Sequence, residues 1–173
     1  VNYDFKYLYL FQISRNNRTA GLKLAVNNLN ETIKLSRKLA NCCAQLKSSF
    51  VIYLTGELGA GKTALAQGFI QYFGFEQVKS PTYSLVESYQ NDTINIHHMD
   101  CYRLHEPEEL EYIGIRDYLS PGHLQLIEWP ELGKGVIAEA DISITLSGDG
   151  NQRKIDVQTH TVVGKQVIRC TTT

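Results

Sequence analysis

At 173 residues the chain is about one globular domain long, enough to bury roughly two thirds of its unfolded surface without covalent staples. Hydrophobic residues make up 43% and charged residues 20%, and 17 Lys+Arg stand against 18 Asp+Glu, so no broad basic face is expected and nucleic acid should be met locally or through a partner. No apolar run approaches the roughly 18 residues of a membrane span, so no membrane association is expected.

Along the chain, "FKYLYLFQI" from Phe5 is short, Tyr-rich and without a clear small-residue cleavage site, which argues against a signal peptide. Residues 1–27 read as an extension and 28–173 as a single domain. "NLNETIKLSRKLANCCAQLK" spaces Leu35, Leu39, Cys42 or Cys43 and Leu46 for one helix face, with Asn28 and Glu31 placed as a capping box. "FVIYL" (50–54) is a strand buried on both faces, and a helix is expected from Lys62 to about Phe73, stopped by Gly74. "SPTYSLVESYQ" and "TINIHHMDCYRL" flank the turn at Asn91 and Asp92, giving a hairpin. "EPEELEYIGIRDYL" (106–119) reads as a helix with a solvated acidic face, "LQLIE" (124–128) as a buried strand, and "DISITL" with "KIDVQTH" as a second hairpin. "VVGKQVIRCTTT" carries no pattern that specifies chemistry.

Cys42, Cys43, Cys101 and Cys170 fit neither a disulfide framework nor paired CxxC zinc knuckles. That usage suggests a reducing, cytoplasmic setting.

"GELGAGKT" (56–63) satisfies the phosphate-loop pattern G-x-x-x-x-G-K-[ST], which should arise by chance in about one chain in two hundred of this length. It lies between a buried strand and a helix, where phosphate binding requires it. Its glycines let consecutive N–H groups of Glu57, Leu58, Gly59, Ala60, Gly61, Lys62, Thr63 and Ala64 face an anion at the positive end of the next helix. Lys62 is expected to reach the β- and γ-phosphates and the Thr63 hydroxyl to ligate Mg²⁺. No N-K-x-D guanine signature is present, which favours ATP.

Phosphoryl transfer also needs a carboxylate for the metal and a group that positions water. Glu128 closes its strand where a Walker-B acid stands, and Asp100 lies in "HHMDCYRL". Strand alternation puts His98, Asp100 and Tyr102 on one face and His97, Met99 and Cys101 on the other, which separates the Cys from the carboxylate and makes zinc a minor reading. His98 reads equally as a packed histidine or a catalytic helper. Trp129 reads as core or nucleotide contact, and Arg103 as an ion-pair partner of the neighbouring acids or a phosphate or partner contact.

"GELGAGKT", "SPTYSLVESY", "HHMDCYRL", "PEELEYIGIRDY" and "LIEWPE", in this order, resemble the TsaE (formerly YjeE) family of bacterial ATPases required for threonylcarbamoyladenosine synthesis on tRNA. The resemblance covers about residues 30–170. It implies a P-loop NTPase-like α/β three-layer sandwich with a mixed, mainly parallel sheet and antiparallel hairpins. It further implies ATP hydrolysis with Mg²⁺, weak in isolation, in support of a TsaB/TsaD pair, with tRNA met only through that complex. On matching positions Lys62 and Thr63 would bind phosphate and metal, Ser80, Pro81, Thr82 and Tyr83 would form a loop sensing the γ-phosphate, and Asp100 and Glu128 would supply the acids. Which acid touches Mg²⁺ stays open. A small-molecule kinase and a non-hydrolysing nucleotide switch share the P-loop and stand as alternatives.

Overall fold

The computed structural model describes residues 12–13, 20–148 and 153–173. Most of the apolar stretch at 5–13 and the centre of the last hairpin turn lie outside the described residues. The strands are β1 (Gln12–Ile13), β2 (Ala20–Val26), β3 (Phe50–Thr55), β4 (Val86–Gln90), β5 (Asn95–Asp100), β6 (His123–Glu128), β7 (Ile142–Ser147) and β8 (Arg153–Thr159). The α-helices are α1 (Leu29–Cys43), α2 (Lys62–Tyr72), α3 (Glu109–Tyr112) and α4 (Val162–Thr172), with 3-10 turns at Cys101–Arg103, Ile115–Leu119 and Pro130–Gly133.

The strands form one sheet in the order β1-β2-β8-β7-β3-β6-β5-β4. Its centre is parallel: β3 pairs with β6 and β7, and β6 pairs with β5. Antiparallel hairpins complete both sides, β4 on β5 and β8 on β7, with β2 and β1 beyond. β3 is apolar because both of its faces are covered. Phe50, Ile52 and Leu54 enter the core shared with α1, α2 and α4, while Val51 and Tyr53 enter a second core with Met99, Cys101, Leu110, Ile127 and Ile137. The result is the expected three-layer α/β sandwich. Each of the large side chains buried here contributes about 1.5–3 kcal/mol relative to exposure.

Local signals explain most boundaries. Asn28 Oδ1 accepts the Glu31 N–H at 3.0 Å, and Glu31 Oε2 accepts the Asn27 N–H at 2.8 Å, so the return arm of the expected box reaches one residue ahead of the cap. α1 and α2 cross closely at Gly68, where a β-carbon would collide with Ser36 Oγ. Asp141 joins distant parts: its carboxylate accepts the Val51 N–H at 2.9 Å and the Thr161 hydroxyl at 2.6 Å, tying the start of β3 to the cap of α4.

Four expectations need correction. The expected extension overlaps the sheet, because Ala20–Val26 is strand β2 in register with β8. The helix expected over 106–119 is instead α3 and a separate 3-10 turn, divided at Gly114, whose φ of 73° is left-handed. The featureless C-terminus is α4, capped by Thr161 and packed on α1. That packing joins Cys42 to Cys170 in a disulfide with Cα atoms 5.9 Å apart across a sequence separation of 128, which no spacing rule could reveal. Cys43 and Cys101 are free and buried. No described helix is long and apolar enough to cross a membrane.

Reducing the Cys42–Cys170 bond reopens that 128-residue separation and should lower stability by about 2–4 kcal/mol, read as a fall in the urea midpoint. An unchanged midpoint, with four titratable thiols before reduction, would show that the bond does not form in solution.

Candidate functional site

The phosphate loop occupies the turn between β3 and α2. Gly56, Gly59 and Gly61 have φ of 133°, 80° and 104°, a region closed to most side chains. At Gly56 a β-carbon would collide with the Leu146 carbonyl, so the loop lies hard against β7. Ala60 turns its methyl into the core, 3% exposed, and its N–H donates to the Glu57 carbonyl at 3.2 Å.

Lys62 is 4% exposed and folded back on its own loop. Its Nζ donates to the Gly56 and Glu57 carbonyls at 2.7 and 2.9 Å and sits 4.0 Å from the centre of the Trp129 ring. Burial pulls its pKa below the usual lysine range, opposed by the carboxylates of Glu128, Asp100, Glu131 and Glu57. Trp129 adopts a left-handed φ of 54°, strained for a bulky residue, and its N–H donates to the Leu54 carbonyl at 3.3 Å.

Parallel pairing brings the two acids together. Asp100 and Glu128 are Cα partners at the ends of β5 and β6. Alternation turns both, with His98, to the face covered by α2. Glu128 is 2% exposed; its Oε2 accepts the Thr63 hydroxyl at 3.0 Å and its Oε1 lies 2.9 Å from His98 Nε2. His98 is fully buried and its Nδ1 has no partner, so Nε2 carries the proton donated to Glu128. Asp100 is 5% exposed and accepts the Thr82 hydroxyl at 2.8 Å and the Tyr102 N–H at 3.0 Å. Thr82 is linked in turn to Ser80 at 2.9 Å, so the 80–83 loop reaches the acidic pair through one hydroxyl.

These groups surround an open cavity of about 540 Å³. Of the expected binding residues, Leu58, Gly59, Gly61, Lys62, Thr63, Ala64, Thr82, Asp100 and Glu128 line it, together with Gln67, Tyr102, Arg103 and Trp129. Glu57 and Ala60 do not. Gln67 lies one helical turn beyond Thr63, a spacing that could have found it. Tyr102 packs against Trp129 with ring centres 5.0 Å apart and planes inclined at 42°, and Arg103 lies 4.5 Å from the centre of the Tyr83 ring rather than on the neighbouring acids. Those acids are used locally: Glu111 binds Arg116, and Glu109 caps the turn at His105 and Glu106.

Strand alternation ends at Asp100, and Cys101 and Tyr102, expected on opposite strand faces, lie instead in a 3-10 turn. Cys101 is buried beside Met99 in the second core, and burial, with Asp100, pushes its pKa up to about 12. His97 also packs there, stacked 4.3 Å from Tyr118 and 2.9 Å from His123 Nδ1. Among the described residues no three His, Cys, Asp or Glu side chains converge on a metal position, so a cation here would draw ligands from the Thr63 hydroxyl, water and phosphate oxygens beside at most two carboxylates.

Comparison with known proteins adds a lineage. A family model described as threonylcarbamoyl adenosine biosynthesis protein TsaE matches residues 26–155. The tRNA threonylcarbamoyladenosine biosynthesis protein TsaE of Haemophilus influenzae is 42% identical over 139 residues, covering 79% of this chain and 88% of that protein. The protein of the same name from Bacillus subtilis is 31% identical over 147 residues, covering 84% and 88%. The crystal structure of Bacillus subtilis YdiB superposes with a TM-score of 0.73 at 24% identity, covering 89% of this chain and 95% of that one, which supports the fold.

The buried His98–Glu128 contact should couple the two residues strongly. In a double-mutant cycle with His98→Leu and Glu128→Leu, urea unfolding should give a coupling of about 1.5–3 kcal/mol, as for a charge-assisted hydrogen bond. Additive effects would show that the two side chains do not bond in solution.

Proposed function

Because the chain belongs to the TsaE family, which serves tRNA threonylcarbamoyladenosine biosynthesis, we propose that it is an ATP-hydrolysing subunit acting on a TsaB/TsaD complex and meeting tRNA only through that complex. One observation carries the reading: the Thr63 hydroxyl of the phosphate loop bonds Glu128, whose register partner Asp100 bonds Thr82 of the 80–83 loop. Four groups that phosphoryl transfer uses separately are thereby linked on one wall of one cavity.

The residues fit a magnesium nucleotide. The glycine φ values leave a cradle of backbone N–H groups at the start of α2, and Lys62 is a cation held at that cradle by two carbonyls it can exchange for phosphate oxygens. When bound, Mg²⁺ supplies charge neutralisation for the phosphates. Thr63 and Glu128 are placed to hold it; His98 fixes the Glu128 carboxylate. Asp100 is placed to orient water, and Thr82, held on Asp100, is placed to exchange that bond for one to the γ-phosphate, which would reset Ser80–Tyr83. Tyr83, 86% exposed, carries that change to the surface where a partner can read it.

The compartment proposed is the cytoplasm, where tRNA is modified. There the Cys42–Cys170 pair stands against a reducing thiol pool.

With TsaB and TsaD present, Lys62→Ala, Asp100→Ala and Glu128→Ala should each reduce phosphate release by about 100-fold or more. Near-normal turnover in both carboxylate variants would overturn their assignment. Transfer of label from γ-labelled ATP to a metabolite would identify a kinase, ATP binding with no turnover a switch, and failure to bind the pair would remove the proposed partners.

A further inference from the structure

Among the described residues two cations line the cavity, Lys62 and Arg103, against the carboxylates of Asp100 and Glu128. Lys62 is held on the phosphate loop by two carbonyls. Arg103 has no such anchor. Its guanidinium makes no ion pair or hydrogen bond among the described residues, and its carbon lies 4.5 Å from the centre of the exposed Tyr83 ring. A cation–π contact at an exposed site is worth only about 0.5–1 kcal/mol, so an anion in the cavity displaces it readily.

Asp100 decides where that pair sits. The chain turns out of β5 directly into the 3-10 turn Cys101–Arg103, and Asp100 Oδ1 accepts the Tyr102 N–H at 3.0 Å. Its other oxygen, Oδ2, accepts the Thr82 hydroxyl at 2.8 Å. Each carboxylate oxygen thus anchors the residue just before one member of the Arg103–Tyr83 pair, and the five side chains close a ring beside the cavity. The Tyr83 half of that ring is under strain. Leu85 closes its turn by donating to the Pro81 carbonyl at 2.8 Å and holds a left-handed φ of 62°, costly for a bulky residue and typical of segments with two arrangements.

We propose that Arg103 is a catalytic residue which the chain supplies to its own site: it leaves Tyr83 and bonds the terminal phosphate oxygens of a bound nucleoside triphosphate as the β,γ bond breaks. The proposal rests on the ATP-hydrolysis reading above. In that step a water oxygen bonds the γ-phosphorus, the bond to the β,γ-bridging oxygen breaks with its electron pair left on ADP, and one water proton passes to Asp100. Negative charge spreads over the γ-oxygens and the leaving oxygen, where a planar guanidinium grips two oxygens at once. Loss of the Thr82 bond to Asp100 moves Tyr83 and frees Arg103, so arrival of the γ-phosphate is coupled to delivery of the charge.

Trp129 is the single tryptophan and lines the cavity, so its fluorescence reports binding to the chain alone. The unaltered protein, Arg103→Ala and Arg103→Lys, each checked for an unchanged melting curve, are titrated with Mg-ADP in the absence and presence of aluminium fluoride, which mimics the phosphoryl group in flight. Fluoride should tighten Mg-ADP about tenfold or more in the unaltered protein and not in Arg103→Ala, with Mg-ADP alone within about twofold in both. With saturating TsaB and TsaD, Arg103→Ala should lower kcat about 100-fold and leave KM within about threefold, and Arg103→Lys should recover at most about a tenth of the lost rate. Equal loss of Mg-ADP and of the fluoride complex would make Arg103 a ground-state contact, and an unchanged kcat, or a loss cured by raising the pair, would make it a partner contact; each overturns the proposal. So would the absence of a fluoride effect in an unaltered chain that releases phosphate once the pair is present, since the charge would then come from the partner. If Arg103→Ala does not fold, Arg103→Gln replaces it under the same criteria. Absence of phosphate release by the unaltered protein under every condition would instead remove the hydrolysis reading itself.

Discussion

The parallel pairing of β3 with both of its neighbours is the constraint on which the site depends. Parallel strands end together at one edge of a sheet, so the phosphate loop after β3, Glu128 at the end of β6 and Asp100 at the end of β5 emerge side by side. The arrangement requires that β3 be covered on both faces, and its unbroken apolar sequence is the price of that position. Helices on one face and short turns on the other then close the two cores.

Burying two carboxylates and a lysine beside one another is unfavourable unless each charge has partners. Here each does. Glu128 is held by Thr63 and His98, Asp100 by Thr82 and the Tyr102 N–H, and Lys62 by two carbonyls and the Trp129 ring. Several of these partners are groups that a nucleotide would compete for. The network therefore keeps the buried charges of the site partnered.

Much of this was legible in the chain because the signals are local. The glycines of "GELGAGKT", the Asn28 cap, the unbroken "FVIYL" and the alternation in "HHMD" are consequences of backbone conformation or strand period, and the structure places them as read. The failures are equally physical. The helix pattern over 106–119 contains Gly114, and its left-handed conformation divides the segment. α4 buries Val167 and Ile168 and takes its stability from docking, with Gly164 packed so closely on the Asp141 carbonyl that a β-carbon would not fit.

The sequence by itself determined the glycine-rich loop between β3 and α2, the position of Glu128 and Asp100 at strand ends, the order of the central elements and, through the family resemblance, the pathway, since each depends on residues close in the chain. Only the tertiary structure decided that Thr63 and His98 share Glu128, that Thr82 binds Asp100, that Trp129 covers Lys62 and that Cys42 meets Cys170. Those contacts join residues far apart in sequence, and their partners are set by sheet order and helix docking, which no local pattern encodes.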